Sequence, residues 1–234
     1  MDLDFTEEQD MLRNLVRGLC NDVAPLTVVR EMEDDPLGYP ADLWKQLAEL
    51  DLIGLLIPEE YGGSGMSMLE GAILYEELGR ALAPIPHFVS AVLGARVLLT
   101  SGSDEQKQTW LPKIAKGEAV FTNAWLEPDR GFGPRGVATT ATSSEAGDTF
   151  VLDGHKRHVL FATAADRFVV LARTGDAPED VDLFLVDPGA DGVTLTQQFS
   201  LASDTQYDVT FSGVRVDASD RIGGAGTGWA RGTP

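Results

Sequence analysis

Three histidines, one cysteine and a few adjacent carboxylate pairs are the side chains here with catalytic reach. Their spacing limits what they can do. His155 and His158 stand three apart in a segment of strand-like pattern, so they point to opposite faces and cannot share a metal ion from one strand, and His87 is remote from both. No metal site is expected; the two read as a turn histidine and a strand-face histidine. Cys20 lies inside an apolar helical pattern, which suits a buried structural thiol better than a nucleophile. A single cysteine also forms neither an intrachain disulfide nor a cysteine zinc site. No serine occupies a G-x-S-x-G elbow. In Glu59-Glu60 and Glu76-Glu77, neighbouring side chains on a helix diverge by about 100°, so neither pair is an acid–base dyad by itself. Glu76-Glu77 reads as a solvated helix edge. No catalytic residue is assigned.

Two glycine-rich stretches could approach a phosphate. Gly62-Gly63-Ser64-Gly65 precedes a helical pattern, where free backbone N–H groups favour anions. It lacks the Gly-Lys-Ser/Thr ending of a P-loop and follows Glu59 and Glu60, so a turn between helices is the better reading. Gly223-Gly224-Ala225-Gly226-Thr227-Gly228 does not have G-x-G-x-x-G spacing and is no dinucleotide fingerprint. The formal charge is 18 − 37 = −19 and the sequence pI about 4.3. Such a surface repels nucleic-acid backbones and anionic lipid heads, so neither nucleic acid nor membrane is expected as a partner. It leaves room for a nucleotide held by local backbone donors. The N-terminus, MDLDFTEEQD, has no basic flank or apolar run of a signal peptide, and no stretch approaches the roughly 20 apolar residues of a bilayer span. A cytoplasmic location is expected.

The elements that would position these residues change character near residue 120. Before it the pattern is helical: Thr6 with Gln9 has capping-box spacing, and Leu12, Leu15, Val16 and Leu19 recur at three- and four-residue steps. Pro25 and the acidic stretch 31–35 break that run. Pro40 opens a second helix carrying Leu43, Trp44 and Leu47. Residues 52–57 are apolar and should be buried. Further helices are expected over 67–82, over 88–99 (apolar on nearly all sides, hence central) and from Ser103 to about Gly117. After residue 120 the period becomes two. Strands are expected over 120–126, 168–172, 183–186, 193–196, 209–211 and 214–216, with a hairpin from 150–152 through Asp153-Gly154 to 157–161. Many short strands separated by turn residues fit a compact barrel or sandwich. The fold class is therefore α+β and multidomain, with an all-α N-terminal domain (1–119), a β-barrel or sandwich middle domain (120–222) and a frayed glycine-rich tail (223–234).

Long stretches then resemble the acyl-CoA dehydrogenase family. They are Phe5-Thr6-Glu7-Glu8-Gln9; the run 51–65, from Asp51-Leu52-Ile53 through Pro58-Glu59-Glu60-Tyr61-Gly62-Gly63-Ser64-Gly65; Tyr75-Glu76-Glu77-Leu78-Gly79-Arg80; and the run 106–118, containing Trp110-Leu111-Pro112. Glu127-Pro128, Leu152-Asp153-Gly154-His155-Lys156 and Ala165-Asp166-Arg167-Phe168 follow in the family's order, and the likeness covers nearly the whole chain. It implies a helical domain, a β domain and a C-terminal helical bundle. It implies FAD held against the β domain, an acyl-CoA substrate with a fatty or steroid side chain, and α,β-dehydrogenation to an enoyl product. Partners would be acyl-CoA dehydrogenase subunits, in a homo- or hetero-oligomer, and an electron-transfer acceptor. The sequence reaches Gly226-Thr227-Gly228-Trp229 and Gly232-Thr233-Pro234 where the family enters its bundle. The expectation is a chain truncated before the catalytic base and inactive alone, or a non-catalytic subunit paired with a full-length homologue.

Carried over by the resemblance, the flavin-facing strand motif falls on Asn123, Trp125 and Leu126, and the following Gly-Ser-Asp on Gly131, Phe132 and Gly133. The family's Trp-Ile-Thr-Asn falls on His158-Val159-Leu160-Phe161. The expected cofactor-binding residues are thus Asn123, Trp125, Leu126, Gly131, Phe132, His158 and Leu160. Leu126 and Leu160 replace hydroxyl donors, leaving their backbone N–H groups, and His158 takes the tryptophan's place beside the flavin ring.

Overall fold

The structure, a computed structural model, describes residues 4–229. Helix α1 (Glu7–Val23) starts at Thr6 with a reciprocal box: the Gln9 backbone N–H donates to the Thr6 hydroxyl and the Thr6 N–H to the Gln9 side chain. Where the sequence suggested only a break, Pro25 instead caps a short helix, α2 (Leu26–Glu31), because its missing N–H and fixed φ suit a helix start. Helices α3 (Ala41–Glu49), α4 (Met68–Arg80), α5 (Ala95–Ser101) and α6 (Asp104–Ala115) follow, and Ser67 with Glu70 and Ser103 with Gln106 form two more capping boxes. The central apolar helix is split: residues Phe88–Gly94 form a π-helical segment before α5 begins. Gly94 sits there because a Cβ would lie 2.7 Å from the Phe121 Cβ.

Between α1 and α4 the expected solvated pair separates. Glu76 is exposed, but the Glu77 side chain is only 1% exposed and takes Arg17 at 2.6 Å and Arg80 at 2.7 Å. Chiefly through its hydrogen bond from Arg17, Glu77 is held down to about 2.

The β domain comprises β1 (Phe121–Ala124), β2 (Thr140–Ser143), β3 (Thr149–Leu160), β4 (Arg167–Arg173), β5 (Val181–Val186), β6 (Val193–Gln198), β7 (Gln206–Asp217) and β8 (Arg221–Ile222). Their order is β6-β7-β3-β2-β4-β5-β8, with β1 parallel to β4, so the sheet is mixed. It curls on itself: Phe150 of β3 and Phe184 of β5, with two strands between them in the sheet, have ring centroids 5.0 Å apart inside one core.

Two sequence expectations fail at glycines. Asp153-Gly154 is no turn; β3 runs straight through it, and His155 is a strand residue opposite Thr210. The separate strands expected at 209–211 and 214–216 are one strand, β7. Both glycines serve a register shift between these strands: the Gly213 N–H donates to Asp153 Oδ1 at 2.8 Å, and at Gly154 a Cβ would meet Thr139 at 2.4 Å. Strand β2 escaped notice because in Thr-Ala-Thr-Ser only Ala141 is buried, which leaves no apolar alternation.

β4 and β5 are buried on both faces. Val170, Phe184 and Val186 enter the β core, whereas Val169, Leu171, Leu183 and Leu185 enter the core built with the helices. The expected frayed tail is docked as far as it is described. Asp182, fully buried, accepts from the Gly226 N–H at 2.6 Å, and Gly228 lies so close to Asp182 that a Cβ would stand 2.5 Å from its Cα. Gly232-Thr233-Pro234 lie outside the described residues.

Candidate functional site

Beyond β1 the chain continues through Trp125 and Leu126 into Glu127, and the Arg157 N–H fastens this extension to β3 by donating to the Leu126 carbonyl at 2.9 Å. Glu127 then turns inward. Its carboxylate accepts from Lys156 Nζ at 2.6 Å and from the backbone N–H groups of Ala138 (2.8 Å) and Thr139 (3.0 Å). Both charged side chains are buried, at 5% and 0% exposure. Burial draws the Lys156 ammonium down to about 8 against the pull of the carboxylate. Burial alone would raise Glu127, but Lys156 and the two backbone donors bring it below the usual carboxylate range.

This buried pair closes the segment 128–137 into a loop, because residues 127 and 138–139 are held at one point. Arg173 fixes the loop from beneath, donating to the carbonyls of Val137 (2.9 Å), Ala177 (2.7 Å) and Pro134. At its neck the strands of the loop touch: a Cβ on Gly136 would stand 1.9 Å from the Gly131 carbonyl oxygen.

Between the loop and the sheet lies a cavity of about 150 Å³, bounded by Trp125, Leu126, Phe132, Val137, Leu171 and Trp229, with Gly131, Gly133 and Gly136 leaving room along one wall. It gathers four of the expected residues, Trp125, Leu126, Gly131 and Phe132. Asn123 lies outside the lining, two residues before Trp125 on the same face of the strand. His158 and Leu160 are elsewhere on β3. His158 stands at a register shift with φ +55°, its N–H donating to Gln198 at 3.1 Å and its ring bonded to Gln206 and Arg157. The Leu160 carbonyl is taken by the Thr122 hydroxyl at 2.6 Å.

Three side-chain groups near this face are buried without a partner: both polar atoms of the Asn123 amide and the indole N–H of Trp125. An unmatched buried donor or acceptor costs about 1–3 kcal/mol, so such a group waits for a ligand atom or carries strain. Phe132 is 92% exposed beside the cavity and Leu126 is 40% exposed. Aromatic walls, a glycine wall and unmatched hydrogen-bonding groups suit a flat heteroaromatic ring, which is the shape and polarity of a flavin. The residues present therefore fit the implied FAD.

In the sequence Glu127 and Lys156 stand only within family-like motifs, and nothing in their spacing of twenty-nine residues signals a contact. Trp229 was missed for another reason, since the glycines before it gave no pattern that would dock it.

Two family models match the chain: "Acyl-CoA dehydrogenase, N-terminal domain" over residues 6–118 and "Acyl-CoA dehydrogenase, middle domain" over residues 122–214. The (2S)-methylsuccinyl-CoA dehydrogenase of Cereibacter sphaeroides is 31% identical over 93% of this chain, which spans 42% of that relative. Among solved structures, the ChsE4–ChsE5 complex from Mycobacterium tuberculosis superposes with a TM-score of 0.87 at 28% identity, covering 99% of this chain and 60% of that one. An acyl-CoA dehydrogenase complexed with FAD from Bacillus anthracis gives 0.85 at 26% identity, covering 97% and 40%. The chain thus spans only part of the length of each of these proteins.

Proposed function

The chain belongs to the acyl-CoA dehydrogenase family, and on that premise we propose that it furnishes the flavin seat of an oxidoreductase that dehydrogenates an acyl-CoA thioester between its α and β carbons. The observation carrying this reading is the cavity beside β1, with its aromatic and glycine walls and the unmatched Trp125 N–H. Bound FAD would supply the two-electron acceptor. Toward it this chain offers Trp125, Phe132 and Trp229 as walls that exclude water, the backbone of Leu126 and Gly131, and the Asn123 amide two residues along the strand.

Removing an α-proton requires a carboxylate or equivalent base free to accept it. Glu127 is the one carboxylate among the described residues that line the cavity, and its lone pairs are already committed to Lys156, Ala138 and Thr139. On this reading the base comes from outside the cavity's described lining, and the chain by itself is expected not to turn over. The test is flavin retention together with dye reduction by short, long and steroid-side-chain acyl-CoAs. The expected result is flavin binding without turnover; turnover by this polypeptide alone overturns the reading.

A second reading is supported by the likeness to the ChsE4–ChsE5 complex. Here the chain is a non-catalytic subunit that completes its flavin site with a homologous partner. Co-expression with a full-length homologue should then yield a stable complex that holds more flavin than either chain alone, and separate elution of the two proteins would exclude it.

A further inference from the structure

Asp182 is a charge that the sheet itself does not call for. It stands in β5 between Val181 and Leu183, its partner across the ladder is Ala172, and all of these are buried. A carboxylate in such surroundings is tolerated only with its lone pairs engaged. Its Oδ2 accepts from the Thr174 hydroxyl at 3.0 Å and has Arg221 Nη1 at 3.9 Å. Its Oδ1 accepts from the Gly226 N–H at 2.6 Å, in the segment that follows β8. Two residues on, Gly228 rests against β5: a Cβ there would stand 2.5 Å from the Asp182 Cα and 2.7 Å from the Leu183 N. The segment is thus held at two neighbouring points, by a charge-assisted hydrogen bond and by backbone contact. The next residue is Trp229, which lines the cavity together with Leu171, the ladder partner of Leu183. Asp182 itself is not part of that lining.

We propose that Asp182 is a positioning residue for the cavity: its carboxylate latches residues 226–228 to β5 and so seats Trp229 as one of the aromatic walls. The inference rests on the flavin reading for its ligand, whereas the seating of Trp229 is independent of it. Asparagine keeps the shape and an oxygen that can accept from the Gly226 N–H, so it should hold the latch. Leucine, close in volume and suited to a buried site, has no acceptor and should release it. Alanine at position 228 undoes the latch from the other side, because its Cβ has no room against β5 while the carboxylate is untouched.

The experiment measures FAD affinity by fluorescence quenching in the wild-type chain, D182N, D182L, G228A, W229A and the doubles D182L/W229A and G228A/W229A. Backbone hydrogen exchange over residues 223–229 is followed in each. D182L and G228A should exchange faster at 226–229 and bind FAD about tenfold more weakly, the same loss that W229A gives by removing the wall. D182N should stay within about twofold of the wild type. Because Asp182 acts through Trp229, each double should bind FAD no worse than W229A alone. A merely structural carboxylate would instead give losses that multiply in the doubles. Multiplying losses, or unchanged FAD affinity in a variant whose tail exchanges fast, overturn the proposal. Should D182L not fold, G228A and its double carry the same comparison. If the wild-type chain binds no FAD, the flavin reading falls and the latch is judged without it. Fast exchange and a Trp229 newly open to acrylamide quenching in D182L and G228A, but not in D182N, uphold the seating. Exchange and quenching alike in all of them overturn it.

Discussion

Glu127 and Lys156 decide whether the cavity has a wall. A buried ammonium without its counter-charge is costly, so Glu127→Ala should destabilise the fold by about 3–5 kcal/mol in urea denaturation. The double variant Glu127→Leu/Lys156→Met should lose far less, because it removes both charges from the interior. Equal losses in the two variants would mean that the carboxylate's grip on Ala138 and Thr139, and not charge pairing, holds the loop. His87 is a second buried titratable group. Its Nε2–H donates to the Leu52 carbonyl at 3.0 Å, which leaves Nδ1 to accept from the Tyr75 hydroxyl at 2.6 Å, so the ring is neutral. Burial pulls it from an ordinary 6.5 down to about 4. Between those values the unfolded chain binds a proton that the folded chain refuses, so stability rises with pH across the window and is lost as pH falls from 6.5 towards 4. His87→Gln should flatten urea midpoints measured between pH 4.5 and 6.5. A slope as steep as the wild type's would place the titrating group elsewhere.

At the scale of elements, what could be read in the sequence was whatever repeats locally. Thr6–Gln9 and Ser103–Gln106 fixed two helix starts, and the apolar runs at 168–172 and 183–186 announced strands, whose burial on both faces only the structure shows. What escaped depended on partners distant along the chain. Asp153-Gly154 has the letters of a turn, yet Asp153 is bonded to Gly213 across the sheet, and only that pairing shows that the strand continues. The candidate site divides the same way. All of the candidate residues were carried over from the family pattern; Trp125, Leu126, Gly131 and Phe132 lie close together in sequence and line one cavity, whereas His158 and Leu160 belong to β3 and bond to its neighbours. Gly38 is another long-range constraint. At φ +74°, a Cβ there would stand 2.0 Å from the Thr205 hydroxyl, where the loop before α3 meets the loop before β7. Gly38→Ala should destabilise by about 1–3 kcal/mol through left-handed strain and the clash together. Thr205→Ser in the same background should restore little, since the hydroxyl remains.

For the molecule as a whole, the question is whether helices and sheet are separable bodies. Leu171, Leu183 and Leu185 belong to the same core as Leu43, Leu47 and Leu74, while the alternate residues of the same strands, Val170, Phe184 and Val186, build the β core. Gln106 of α6 also donates to the carbonyls of Ser219 and Arg221, and Thr163 donates to Pro36, so polar ties cross the junction at two further places. If β4 and β5 melt, both cores lose a wall; if the helices leave, an apolar face of β4 and β5 meets water. Unfolding should therefore be one cooperative transition, with tryptophan fluorescence and far-ultraviolet circular dichroism giving coincident curves. Leu185→Ala creates a cavity on the helical side of the sheet at a residue 1% exposed, and should cost about 2–5 kcal/mol while moving both curves together. Separate transitions, with the substitution shifting only one, would show that the cavity beside β1 rests on the β domain alone. The helices would then be needed for something other than holding that site in shape.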